Sequence, residues 1–99
     1  MFHTGYLRFE WDEAKHRANK RKHRISFDEA QSAFLDAYAR LKVSVKQANG
    51  EGRFLLMGIS NKSRLIVVVH TWLDEDRTVR IISARKATNK ERFQYRGFK

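Results

Sequence analysis

Cysteine and proline are both absent from this 99-residue chain, glycine occurs only five times, and 11 acidic residues face 21 Lys and Arg. Without cysteine there is no disulfide framework, no thiolate nucleophile and no cysteine-based zinc site. Histidine does not fill the gap: His3, His16, His23 and His70 make no H-x-x-x-H pair, so neither a metal site nor a cofactor is expected. The longest apolar run, Leu65 to Val69, is too short to span a bilayer, and Phe2 to Tyr6 is no signal-peptide core. The expectation is a soluble cytoplasmic protein without a membrane role. Gly-rich phosphate loops, a G-x-S-x-G elbow and carboxylates paired at a workable spacing are missing too, which argues against Mg²⁺-dependent nucleotide hydrolysis. No linker, repeat or low-complexity stretch divides the chain, so residues 1–99 read as one domain with a single modest core.

What is present is a folded composition with a patterned positive charge. Hydrophobic residues make up 41% of the chain, with two Trp, three Tyr and seven Phe, which is not the make-up of a basic disordered tail. The net charge of +10 is concentrated at the two ends. Residues 77–99 hold eight Lys/Arg and one acid, residues 1–24 hold seven against three, and residues 25–76 hold six against seven. Charge arranged in this way points to a polyanionic partner, nucleic acid or an acidic protein that competes with it.

Periodicity gives an α+β order: two N-terminal helices, a four-stranded antiparallel sheet and a short C-terminal helix. Asp12 is a plausible N-cap, with Ala14 and Ala18 marking a narrow apolar stripe on a helix that ends near Lys22 to Arg24. Ser26-Phe27-Asp28-Glu29 reads as a capping box in which Glu29 reaches back to the cap. Phe27, Ala30, Ala33, Phe34, Ala37 and Tyr38 then recur at helical spacing. From Leu41 the period switches to two. Strands are expected at Leu41–Lys46, Arg53–Ser60, Arg64–Trp72 and Arg77–Ala84, with turns at Asn49–Gly52, Asn61–Ser63 and Leu73–Asp76. Short connections make these a meander. Thr88-Asn89-Lys90-Glu91 is another capping box, opening a last helix through about Arg96.

Strand parity sorts the basic residues. On the third expected strand Arg64, Ile66, Val68, His70 and Trp72 share one face, and Leu65, Val67, Val69 and Thr71 the other. If helices cover the aliphatic set, Arg64 and His70 look out from the open face about 20 Å apart, at roughly 3.3 Å per residue. Arg80 and Arg85 lie on opposite parities of the fourth strand, and parity alone does not decide which of them joins Arg64. His70 is more often a packed histidine than a catalyst at such a position, yet its ordinary pKa suits acid/base work. The first helix, with Lys15, Arg17, Lys20, Arg21, Lys22 and Arg24, is a basic cylinder: either a solvated face or a second phosphate- or partner-binding surface.

Three segments together resemble a known family. Phe9-Glu10-Trp11-Asp12-Glu13-Ala14-Lys15, then Arg21-Lys22-His23-Arg24-Ile25-Ser26-Phe27-Asp28-Glu29-Ala30, then Arg80-Ile81-Ile82-Ser83-Ala84-Arg85-Lys86-Ala87-Thr88 with Glu91-Arg92 and Tyr95, are similar to the BrnT toxins of type II toxin–antitoxin systems. The likeness runs from about Phe9 to Tyr95. One departure is Arg24, where the family usually has Gly. The resemblance implies a RelE-like fold and a metal-independent ribonuclease that cuts mRNA, free or on the ribosome, and halts translation. It also implies a BrnA-type antitoxin, and repression of the pair's own operator DNA by the complex. Carried over by position, it implies catalytic roles for Arg64 and Arg85, with Lys86 beside them, Tyr95 in the terminal segment and Arg80 in the family motif itself. On chemical grounds His70 is the other candidate to move protons, and Lys86, Lys62 and Arg53 are expected to bind RNA. The expected reaction is in-line attack of the RNA 2′-OH, leaving a 2′,3′-cyclic phosphate and a 5′-OH. Arg64→Ala is expected to abolish toxicity without disturbing the fold. Two other readings compete: a non-catalytic nucleic-acid-binding regulator, and a subunit whose cations chiefly receive an acidic protein.

Overall fold

The computed structural model describes residues 3–4, 7–46, 52–73 and 77–97. The chain starts with two strands, β1 (His3–Thr4) and β2 (Leu7–Trp11), followed by helices α1 (Glu13–His23) and α2 (Phe27–Ser32) and a 3-10 turn at Ala33–Leu35. Four strands come next, β3 (Arg40–Lys46), β4 (Gly52–Ile59), β5 (Leu65–Leu73) and β6 (Thr78–Lys86), and helix α3 (Asn89–Arg96) closes the fold. The sheet order is β1-β2-β6-β5-β4-β3. Strands β3 to β6 form the antiparallel meander, while β2 pairs in parallel with β6. The sheet is therefore mixed: five full strands with the two-residue β1 at its edge. The expected arrangement of two leading helices and four antiparallel strands is corrected at the N-terminus.

The reason is legible in the residues of β2. Leu7, Phe9 and Trp11 alternate with Arg8 and Glu10, a period of two that suits a half-buried strand. Phe9 is buried in the main core, and Leu7 and Trp11 pack against it. Asp12 then ends the strand and starts α1, its Oδ1 accepting from the backbone N–H of Ala14 (2.8 Å) and Lys15 (3.1 Å).

Both helices differ in detail from their expected patterns. Ala14 and Ala18 are exposed, and α1 instead packs through His16 and Asn19. Asn19 acts as a substitute strand: its side chain accepts from the Ala84 N–H (3.1 Å) and donates to the Ala84 carbonyl (2.9 Å) and the Ile25 carbonyl (2.9 Å). It thereby satisfies β6 just beyond Ile81, the last β6 residue paired with β2. Helix α2 stops at Ser32 rather than continuing through Tyr38, which is exposed. Asp36 supplies the competing hydrogen bonds, accepting from the N–H of Tyr38 (3.0 Å) and of Ile59 (2.8 Å). The 3-10 turn then packs so close to β4 that a Cβ on Gly58 would lie 2.8 Å from the Ala33 carbonyl oxygen. Ser26 caps α2 through the Glu29 N–H (3.0 Å), but the Glu29 side chain turns to Arg64 and Ser60 instead of reaching back. The Thr88/Glu91 box on α3 is complete.

Helices lie on both faces of the sheet. Helices α1 and α2 cover Ile66, Val68, Val79, Ile81 and Ala84, together with Ile25, Phe27 and Ala30. Helix α3 covers a smaller cluster on the opposite face, where Tyr95 packs with Leu65, Val67 and Ala87. Leu65 to Val68 are thus buried on alternate sides, as in a central strand enclosed from both directions. Most of the expected turns at 49–52 and 73–76 lies outside the described residues, as does most of the segment 2–6.

Candidate RNA-binding and catalytic face

The helix-covered face takes the Ile66, Val68 and His70 parity, not the aliphatic Leu65 and Val67 parity. This inverts the expected exposure of Arg64 and His70. Arg64 sits immediately before β5 with its guanidinium turned towards α2, its Nε donating to Glu29 Oε2 (2.9 Å) and its Nη2 to Glu29 Oε1 and to the Arg24 carbonyl (3.1 Å). Glu29 is only 2% exposed and also accepts from Ser60 Oγ (2.7 Å). Burial raises the Glu29 carboxyl, but the hydrogen bonds from Arg64 and Ser60 outweigh it and hold the group below the usual carboxylate range. Arg64 therefore neutralises a buried charge and ties the α1–α2 junction to the β4–β5 turn.

His70 is fully buried, enclosed by the rings of Phe34, Phe54 and Trp72. Burial lowers its pKa to about 4, against the opposing pull of the Val68 carbonyl 3.1 Å from Nδ1. It is a neutral core histidine at neutral pH. Lys86, opposite Ile66 in register, also alternates to the helix side, though it is exposed at the strand end. Lys62 is exposed in the β4–β5 turn.

The other sheet face gathers a different set. Arg80 pairs in register with Glu10 and with Thr71, and Arg85 with Val67, so both arginines share the face that α3 partly covers. A register shift between Val69 and His70 restores this match, because an extra β6 residue is accommodated there. Sequence parity counted without that bulge separates the two arginines. Their backbone positions are four β5 residues apart, roughly 13 Å at about 3.3 Å per residue. Arg53 emerges on the same face, alternating with Phe54, whose ring stacks on His70 from the helix side. Arg40 and Lys42 of β3 line the far side of this face with Leu55 and Met57 of β4.

Each β6 arginine is paired with a carboxylate. Arg80 Nη1 lies 2.6 Å from Glu10 Oε2 at a solvated position. Arg85 makes a two-pronged pair with Glu91, Nη1 to Oε1 at 2.8 Å and Nη2 to Oε2 at 2.9 Å. The Arg85 guanidinium, against the opposing effect of burial, holds the Glu91 carboxyl down to about 2. In return Glu91 raises the pKa of Arg85, so both stay charged across the working pH range. Tyr95 is on the sheet side of α3, 3% exposed, and donates its hydroxyl to Asp36 Oδ2. Burial, then that hydrogen bond, pushes the phenol up to about 12. It holds α3 onto the sheet as a neutral anchor.

Of the eight side chains singled out from the sequence, the structure brings Arg53, Arg80 and Arg85 to one open face, with Tyr95 buried beside them. It puts Arg64 and His70 on the other side. Arg40, Lys42 and Glu91 belong to the open face and were not singled out. The signal available for Arg40 and Lys42 was their spacing of two at the start of a strand, with an apolar residue between them.

A family model for BrnT, the ribonuclease toxin of type II toxin–antitoxin systems, matches residues 11–91. Among solved structures, the crystal structure of the ribonuclease toxin BrnT of Brucella abortus matches with a TM-score of 0.61 and 26% sequence identity. The match covers 84% of this chain and 99% of that one. No curated protein matches the chain.

Proposed function

Because this chain belongs to the BrnT family of type II ribonuclease toxins, we propose that it cuts RNA on the open face of its sheet. The observation that carries this reading is the gathering of Arg80, Arg85 and Arg53 on one face, beside a half-covering helix. Spaced as they are, Arg80 and Arg85 suit two different phosphates of one strand rather than a single phosphate. The 2′-OH attacks its neighbouring phosphorus in line, the bond to the 5′ oxygen breaks, and the products are a 2′,3′-cyclic phosphate and a 5′-OH. Arg85 donates to the non-bridging oxygens as charge builds there, the largest electrostatic contribution in such a site. The proton leaves the 2′-OH for solvent water, and the leaving oxygen takes one from water. In this reading the arginine cations and water suffice, and the cut is metal-independent.

The single domain acts in the cytoplasm on mRNA, free or on the ribosome. A BrnA-type antitoxin neutralises it by covering the cationic face, and the pair binds operator DNA to repress its own transcription. The net charge of +10 supports both polyanion contacts.

A second reading, a binding regulator without catalysis, is favoured by one observation: neither His70 nor Tyr95 is available to move a proton. Expression of the chain alone, beside an Arg85→Ala control, separates the two. New 5′-OH and cyclic-phosphate ends made only by the unaltered chain establish the nuclease. Intact RNA, with binding that merely weakens in the control and a salt slope lower by about 1, establishes the regulator.

A further inference from the structure

The open face carries a recess that the phosphate contacts leave unused. It lies between β3, β4 and α3 and encloses about 370 Å³. Leu55, Met57 and Val67 form its apolar floor. Arg40 and Lys42 stand on one rim, and Gln94 and Glu91 on the other. Ligand pockets run from about 300 to 1,000 Å³, so this one is at the small end, the scale of a single nucleoside rather than a peptide segment. Glu91 belongs both to the recess and to the Arg85 pair, so an occupant here adjoins the phosphate held at Arg85.

We propose that the recess is a nucleobase subsite that reads guanine beside the phosphate bound by Arg85. The proposal rests on the RNA-cleaving reading above and names the base that directs it. An apolar floor takes the face of any base, so the rim decides between bases. Cations on one rim match the O6 and N7 acceptors of guanine, the edge that Arg and Lys recognise most often. On the opposite rim an acceptor is required for the N1–H and N2–H donors. Glu91 Oε1 is filled by Arg85 Nη1 and the Thr88 N–H (2.8 Å), whereas Oε2 takes only Arg85 Nη2 among the described contacts. A carboxylate has about four acceptor directions, so Oε2 keeps one for a base donor, and the Gln94 carbonyl supplies another. Adenine brings a donor to the cationic rim at its 6-position. Cytosine and uracil lack N7.

The sequence supplies its own probe. Its two methionines are Met1 and Met57, and Met57 is on the floor. With methyl-labelled methionine, titration with guanosine 3′-monophosphate should shift the Met57 methyl, at an affinity at least about tenfold above the adenosine, cytidine and uridine 3′-monophosphates. Inorganic phosphate should leave that methyl still. Gln94→Ala and, independently, Lys42→Ala, both at exposed positions, should each narrow the guanine advantage, as should the ratio of cuts at guanine to cuts elsewhere in a random RNA. Equal responses to the four nucleotides, or a response to phosphate alone, overturn the guanine subsite. So does a chain that cuts RNA while Met57 never moves, which leaves the nuclease reading standing. A guanine-selective Met57 shift in a chain that cuts no RNA supports the subsite and removes the nuclease.

Discussion

The two faces of the sheet carry similar side chains in opposite circumstances. Beneath α1 and α2, Arg64, Glu29, Asn19 and His70 are each committed to the fold: a buried ion pair, a side chain standing in for a strand, a neutral ring among rings. On the other face Arg80 and Arg85 are paired with carboxylates that remain partly solvated, and Arg53 and Lys42 are exposed. An arginine paired with a partly solvated carboxylate can add a phosphate contact while the pair persists, whereas Arg64 is committed to a carboxylate that is buried. The position of an arginine along a strand thus says less about its role than the burial of its partner does.

The largest effect that sharpens this contrast is expected at Arg64. Arg64→Ala leaves the Glu29 charge buried and unpaired, and should lower unfolding stability by about 3 kcal/mol, the low end for a broken buried pair because Arg64 itself is partly solvated. Chemical denaturation measures the loss, and adding Glu29→Gln should recover part of it. An Arg64→Ala protein as stable as the unaltered chain would erase the distinction between the faces. Arg85→Ala should do the reverse: RNA cleavage falls on the order of 10²-fold, while the stability lost is smaller than at Arg64, because Glu91 stays partly solvated and keeps the Thr88 N–H. His70 gives a pH signature. The unfolded chain protonates it near 6.5 and the folded chain only near 4, so its stabilisation is complete above 6.5 and is lost as pH falls through that window. The loss should be about 3 kcal/mol by pH 4, and His70→Phe should flatten that part of the stability–pH profile. The smallest effect concerns the α1–α2 junction. Arg24 caps α1 in the left-handed region (φ 60°, ψ 30°), so Arg24→Gly should stabilise by about 1 kcal/mol, read as a rise in Tm.

Local rules carried the reading of the sequence a long way and then stopped for identifiable reasons. The caps at Asp12, Ser26 and Thr88 and the alternation in β3 to β6 depend on neighbours within a few residues, and these were legible. Arg24 was singled out as a departure from glycine, and its left-handed backbone is the physical reason glycine fits there. The parallel β2 was missed because five alternating residues before an N-cap look like a lead-in, and their partner lies some seventy positions away in β6. The face carrying the helices was misjudged because β5 is apolar on both sides at its centre. The aliphatic set looked like the natural helix-bearing face, yet the face with Ile66, Val68 and His70 took the larger helices. Asn19 could not be anticipated, since a polar residue at a buried helix position declares itself only through the β6 backbone it serves. The convergence of Arg80 and Arg85 depended on a bulge, and a single extra residue reverses parity.

The most direct test of the account is to map where RNA lies. A short RNA with 2′-deoxy substitution at the scissile position, so that it binds without being cut, is titrated into the isotopically labelled chain and followed by backbone and side-chain NMR. The account predicts that shifts concentrate on Arg53 and Met57 of β4, on Arg80 and Arg85 of β6, and on Glu91 and Gln94 of α3, with Arg64 and His70 undisturbed. Shifts centred on Arg64, Lys62 and the α1–α2 junction would contradict it and return the site to the helix-covered face.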